Sequence, residues 1–142
     1  MTILVYYVSN TPGLLIFFGG EDVNFDSGLP IYMQIVDIIK TRIVTGILKN
    51  GEKLPSVRDL ATELKVNPNT IQRSYGELER EKIVFTQRGM GTFVTEEKSI
   101  LDGLKDTMAR EKVTSFMEDM ERLGYSRADI PGIIEKIIVE GK

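Results

Sequence analysis

The chain of 142 residues contains no cysteine and no histidine. Without cysteine there is no disulfide to staple the fold and no thiol to act as nucleophile or metal ligand, which fits a reducing compartment. Without histidine, a zinc site, a Ser/His/Asp triad and an imidazole pH switch are excluded together. Any enzyme built from this chain would work through carboxylates, and its Asp and Glu residues are spread as ordinary helix-surface charge with no acid-base cluster. The expectation is a protein with no catalytic residues, no metal and no cofactor. Long apolar runs are missing as well. Two β-prone stretches, Thr2 to Val8 and Leu14 to Phe18, are split by Ser9-Asn10-Thr11-Pro12-Gly13, well short of the roughly 20 apolar residues that span a bilayer. No basic n-region of a signal peptide precedes them. A cytoplasmic location and no membrane partner are expected, with room for one ordinary domain and an appendage.

Positive charge is not in excess either, since the formal net charge is -3. Its distribution matters more than its sum. Residues 49–98 carry nine Lys+Arg against eight Asp+Glu, residues 1–48 two against four, and residues 99–142 seven against nine. The middle is therefore the least acidic third, and a basic face there is compatible with an acidic total.

That middle segment also carries the local signals. Ser56 followed by Asp59 has capping-box spacing and predicts a helix start, after which Val57, Leu60, Ala61 and Leu64 recur at helical intervals. Asn67 predicts a second N-cap with Pro68 at the first helical position, where a missing N–H costs nothing. Ile71, Tyr75 and Leu78 form the buried stripe of that helix. Only Lys65 and Val66 separate the two helices, so they must cross sharply, and the small Ala61 allows close approach. Asn69, Thr70, Gln72, Arg73 and Gly76 lie off the stripe and include the amides and hydroxyls that read base edges. After Lys82 the period changes to alternation in Ile83-Val84-Phe85-Thr86, and Arg88-Gly89-Met90-Gly91 turns the chain into Thr92-Phe93-Val94. Two short helices and a basic, glycine-tipped hairpin make a winged helix-turn-helix.

At these residues the chain resembles the GntR family of bacterial transcriptional regulators, whose DNA-binding domain carries an LPS-x-R-x-LA segment, a recognition helix and an RGxGTFV wing. They correspond to Leu54–Ala61, Asn67–Glu81 and Arg88–Val94. Leu29 to Ile35 is similar to the start of the family's first helix, so the resemblance covers about residues 25–95. It implies that Arg58, Asn69, Thr70, Gln72, Gly89 and Gly91 touch DNA, although some relatives carry arginine in place of Pro68 and Gln72. Ser56, Asn67, Arg73 and Arg88 complete the candidate DNA-binding set. Plainer readings compete: Arg73 and Arg80 each lie within reach of Glu77 as an ion pair, the wing glycines can serve a tight turn alone, and Tyr32 and Tyr75 read as core aromatics.

Flanking segments complete the plan. Pro30 to Leu48 is expected to be one long helix with Ile31, Ile35, Ile38, Ile39, Val44 and Ile47 as its core stripe. Ser99 to Leu123 is expected to be another, ended by Gly124. Ser126 with Asp129 repeats the capping-box spacing and opens a last helix, Arg127 to Glu140. These tail helices are too apolar for their own length to cover, and Leu104, Met108, Phe116, Met120, Ile130, Ile134 and Ile138 are the candidate dimerisation residues. So short a tail resembles the YtrA-like branch of the family, which implies a dimerisation element and leaves the effector open. About 40 residues enclose no small-molecule pocket by themselves. A pocket between subunits lined by Met108, Met117 and Met120 competes with the simpler reading of those methionines as gap-filling core. Residues 1–22 have no counterpart in the family pattern. They read either as an upstream-extended start, with Gly19-Gly20-Glu21 encoded by a ribosome-site-like run ahead of Val23, or as an added hairpin.

The expected fold is mainly α with a small β-wing, a winged helix-turn-helix DNA-binding domain plus a C-terminal two-helix dimerisation element. Residues 1–23 form an atypical extension, 24–97 the winged helix and 98–142 the tail. The expected function is sequence-specific regulation of transcription, as a repressor, by a homodimer on a twofold-related double-stranded operator. The rival reading is a winged helix used as a protein-interaction module, which would need neither a basic face nor exposed amides at a helix start.

Overall fold

A computed structural model describes residues 7–10 and 21–141. Strands β1 (Tyr7–Asn10) and β2 (Glu21–Asn24) pair antiparallel, Tyr7 opposite Asn24 and Asn10 opposite Glu21. Ser9 and Asn10 are thus strand residues where a turn was expected. Ser9 pairs with Asp22 and Asn10 with Glu21, so the turn does not fall at 9–10. The expected second strand, Leu14 to Phe18, lies outside the described residues.

Helix α1 (Ile31–Val44) begins behind Pro30. Its approach is fixed by Gln34, a buried amide that uses both ends: Nε2 donates to the carbonyls of Asp26 (2.7 Å) and Leu29 (3.0 Å), and Oε1 accepts from the Asp26 N–H (2.8 Å). Periodicity extended this helix to Leu48, but it stops four residues earlier. Thr45 Oγ1 donates back to the Thr41 carbonyl at 2.7 Å, and Gly46 takes a left-handed φ of +80°. The chain turns there, so Ile47 is exposed and Leu48 is buried from a loop.

Helices α2 (Val57–Leu64) and α3 (Pro68–Arg80) stand where their caps predicted. Between them Lys65 is left-handed, with φ 57°. The Val66 N–H reaches the Ala61 carbonyl at 3.0 Å, closing α2 with a 6→1 bond. Helix α3 packs on both α1 and α2 and on strand β3 (Val84–Gln87), which pairs antiparallel with β4 (Gly91–Val94). The wing has a further edge that the sequence did not announce. Residues 51–54 run along β4: Gly51 N–H donates to Val94 (2.9 Å), Val94 N–H to Glu52 (2.9 Å) and Leu54 N–H to Thr92 (2.7 Å). Ile35, Ile39, Leu54, Leu60, Ile71, Leu78, Ile83, Val84 and Val94 fill the core beneath these elements.

Helix α4 (Lys98–Arg122) is continuous, and Gly124 (φ +98°) ends it as expected, with the Tyr125 N–H bonded to the Met120 carbonyl at 3.2 Å. The chain divides into two compact units at Lys105/Asp106, inside α4. Buried Leu104 falls in the first unit. In the second unit, helix α5 (Ile130–Glu140) begins three residues later than the expected Arg127. Pro131 explains the difference. Its ring would clash with the Arg127 carbonyl, and it has no N–H to bond to it, so the preceding turn stays non-helical. Asp129 closes that turn instead, accepting from the Ser126 N–H and hydroxyl, both at 2.9 Å, and these bonds hold its carboxyl below the ordinary carboxylate range. Among the described residues no helix is long and apolar enough to cross a membrane, and no His/Cys/Asp/Glu group can hold a metal ion.

Candidate nucleic-acid interface

Two helix starts and one hairpin tip project from the first unit. At the start of α2, Ser56 Oγ accepts from the Asp59 N–H at 3.0 Å, one half of the expected capping box; the return bond from the Ser56 N–H to the Asp59 carboxylate is not formed. Accepting leaves the hydroxyl proton free to donate, so the same atom that caps the helix can also hydrogen-bond a phosphate oxygen. Arg58, the second residue of α2, is exposed and has no carboxylate partner among the described residues. A cation there stands beside the unpaired N–H groups of a helix N-terminus, a combination suited to an anion.

At the start of α3, Asn67 Oδ1 accepts from the Asn69 N–H at 2.8 Å, which leaves the Asn67 amide N–H₂ free. Pro68 occupies the first turn without an orphan donor. Asn69, Gln72, Arg73 and Gly76 follow at three- and four-residue intervals, all exposed, and Thr70 is half-buried beside them. The opposite face is sealed. Ile71, Ser74, Tyr75 and Leu78 are buried, with the Tyr75 hydroxyl donating to the Pro55 carbonyl at 2.7 Å. Burial, assisted by the Glu63 charge, pushes the Tyr75 phenol well above its ordinary range, so it stays a neutral donor. Ser74, a buried polar residue on the same face, donates from Oγ to the carbonyls of Thr70 (2.9 Å) and Tyr32 (3.1 Å), and so ties α3 to α1.

The two arginines of α3 part company. Arg80 takes Glu77 as its ion-pair partner, and that hydrogen bond raises its already high pKa. Arg73 instead lies over the Tyr32 ring, its guanidinium carbon 3.8 Å from the centroid. Tyr32 is half-buried at the start of α1 and serves as a surface for a cation as well as an edge of the core.

At the wing, the Met90 N–H donates to the Gln87 carbonyl at 2.9 Å around Arg88 and Gly89. Gly89, with φ +78°, fills the third turn position that demands a left-handed residue. Gly91 has φ +123°, and a Cβ there would meet Lys53 Cε at 2.6 Å. The wing glycines therefore have a structural reason to be glycine whatever they touch. Arg88 and Met90 are exposed at the tip, and the Phe85 and Phe93 rings stack across the strands with centroids 5.7 Å apart. Sequence reading missed Lys53, a cation whose backbone pairs with Phe93 and whose side chain lies against Gly91 beside the wing tip. Its signal was a lysine next to the LPS segment, but its position depends on the non-local pairing of residues 51–54 with β4.

The candidate dimerisation residues divide by exposure. Leu104, Met108 and Ile130 are buried within the single chain, which leaves little of them for a second subunit. Phe116, Ile134 and Ile138 are exposed and Met120 is half-buried.

The comparisons agree with this geometry. The family model described as bacterial regulatory proteins, gntR family, matches residues 31–94, from α1 to the end of the wing. The chain is 50% identical over 109 residues to the uncharacterized HTH-type transcriptional regulator YhcF of Bacillus subtilis, covering 77% of this chain and 90% of the relative. It is 41% identical over 117 residues to the HTH-type transcriptional repressor YtrA of the same organism, covering 82% and 90%. Both alignments are longer than the winged helix itself, so the likeness continues into the flanking segments. A solved GntR family transcriptional regulator from Listeria monocytogenes superposes with a TM-score of 0.71 at 46% identity, covering 79% of this chain and 98% of that one. The chain belongs to the GntR family and is a DNA-binding transcriptional regulator built on a winged helix-turn-helix.

Proposed function

We propose that this regulator is a repressor that binds, as a homodimer, a double-stranded operator with two half-sites related by a twofold axis. The observation that carries the reading is the outward face of α3, where Asn69, Gln72, Arg73 and Gly76 are exposed on a helix whose other face is sealed into the core. A helix so arranged enters the major groove with its N-terminal half, Gln72 and Asn69 reading base edges. Ser56, Arg58, Asn67 and Thr70 hold the flanking backbone, and Arg88 with Gly89 and Gly91 follows the strand to the neighbouring minor groove. The protein acts by occupancy and not by catalysis, in the cytoplasm. Repression is the sign for which the relative YtrA is named.

The exposed apolar side chains of the second unit, Phe116, Ile134, Ile137 and Ile138, support the dimer. Ile134, Ile137 and Ile138 recur at helical spacing on one face of α5, an apolar stripe that a soluble monomer seldom leaves in water. The experiment is selection of bound duplexes from a random pool with the intact protein, followed by affinity measurements across salt. Inverted half-sites about one helical turn apart are expected. Affinity should fall steeply with salt, as for roughly 6 to 10 neutralised phosphates per dimer. Recovery of no common sequence, or a flat salt dependence, would contradict the reading.

A further inference from the structure

Arg73 and Tyr32 form a contact that neither the caps nor the core requires. The guanidinium carbon lies 3.8 Å above the ring centroid while the arginine remains exposed. Its acidic neighbour at helical spacing, Glu77, is engaged by Arg80. The ring itself is anchored next to α3, because Ser74 Oγ donates to the Tyr32 carbonyl at 3.1 Å and Gln34 fixes the chain leading into α1. An uncompensated cation on the exposed face of the recognition helix is thus held from beneath by an aromatic surface.

Resting on the proposed docking, we propose that Tyr32 is a positioning residue for DNA binding, presenting Arg73 to a phosphate of each half-site. A guanidinium stacked on a ring keeps its N–H donors in the plane of the stack, where they point sideways and outward and stay available to phosphate oxygens. Stacking also removes rotamer freedom before DNA arrives, and ordering a long side chain is otherwise a cost of association. Asn69 precedes Arg73 by one helical turn and Gly76 follows it by three residues, so the cation stands midway along the exposed face, on the side next to Tyr32 of α1.

The test is a mutant cycle on the duplex recovered by selection. Tyr32→Leu should weaken binding about 3- to 30-fold per half-site, the range of a partly desolvated cation–π contact. Tyr32→Phe keeps the ring face and should bind within about twofold of the parent. Arg73→Ala should weaken binding and reduce the salt slope by about one per subunit. In the Arg73→Ala background, Tyr32→Leu should have no further effect on affinity. Equal weakening by Tyr32→Leu with and without Arg73 would overturn the proposal, since Tyr32 would then act through the fold. So would an Arg73→Ala protein with unchanged affinity and salt slope. Should Tyr32→Leu fail to fold, Arg73→Lys decides: it keeps the charge but stacks poorly, and undiminished affinity would overturn the positioning role. Arg58→Ala and Arg88→Ala, run in the same assay, separate the two levels. If they lower the slope and Arg73→Ala does not, only this inference fails; if none does, the docking itself fails.

Discussion

The two compact units bury their apolar side chains to different extents. Up to Lys105, the large aliphatic residues of α1, α2, α3 and the wing are mostly sealed: Ile35, Ile39, Leu60, Ile71 and Leu78 are at 0% exposure. After Asp106, Met108 and Ile130 are buried, while Phe116, Leu123, Ile134, Ile137, Ile138 and Val139 are open, Val139 to 80%. The first unit has a filled core, with Leu29, Ile31, Met33, Ile47, Phe85 and Met90 exposed around it, whereas the tail has few buried residues and turns most of its large apolar side chains outward. On this difference rests the proposed separation of DNA reading from assembly. The first unit supplies a surface fit for a polyanion, and the second supplies apolar area whose burial would stabilise a partner contact.

Charging the tail should break this comparison most severely. Ile134→Glu with Ile138→Glu places carboxylates on the exposed face of α5 and should give monomers. Operator affinity should then fall on the order of 100- to 10,000-fold as the second half-site is lost, while the thermal transition of the winged helix persists. Sedimentation together with gel shift reads both, and a variant that remained dimeric would move the interface elsewhere.

Cutting the winged-helix core comes next. Leu60→Ala leaves a cavity under α2 and should cost about 2 to 5 kcal/mol of stability by denaturant titration. Ile138→Ala, at a position 69% exposed in the single chain, should cost a dilute monomer almost nothing. Equal costs would erase the distinction between the units.

Contacts to DNA should have intermediate effects. Gln72→Ala should lose about 1 to 3 kcal/mol per half-site at one base position and relax preference there, whereas Arg88→Ala should weaken all sequences evenly. Equal weakening of selected and random duplexes by Gln72→Ala would remove it from the base readers.

The smallest effect sharpens the role of the helix start. Ser56→Ala removes the acceptor for the Asp59 N–H and should cost about 1 kcal/mol of stability. It should also cost some operator affinity if the hydroxyl proton meets a phosphate. Ser56→Gly, a milder loss at an N-cap, should lower affinity as much as Ser56→Ala while sparing stability.

What could be read from the sequence was what is decided within a few residues. The caps at Ser56 and Asn67, Pro68 at the helix start, the change of period after Lys82 and the glycine-tipped wing are short-range chemistry, and all stand in the structure. Errors came where a local signal was outweighed by a neighbour. The stripe through Val44 and Ile47 suggested that α1 continued, but Thr45 and Gly46 ended it. The Ser126 signal suggested an early α5, but Pro131 forbade the bonds. Non-local features were hidden: the pairing of residues 51–54 with β4, and the stack of Arg73 on Tyr32, 41 positions away in the chain. Gln34 and Ser74 were legible in principle. Each falls at the spacing of its helix's buried stripe, and a polar residue there has to find partners inside the fold.

The division of labour between the units is tested most directly by sedimentation of the intact protein with two duplexes, one carrying both selected half-sites and one carrying a single half-site. A dimer held by the tail should sediment free at about twice the 16.0 kDa chain mass, place two chains on the full site, and bind the single half-site at least about 100-fold more weakly. A free monomer that binds one chain per duplex with the same affinity for both DNAs would contradict it.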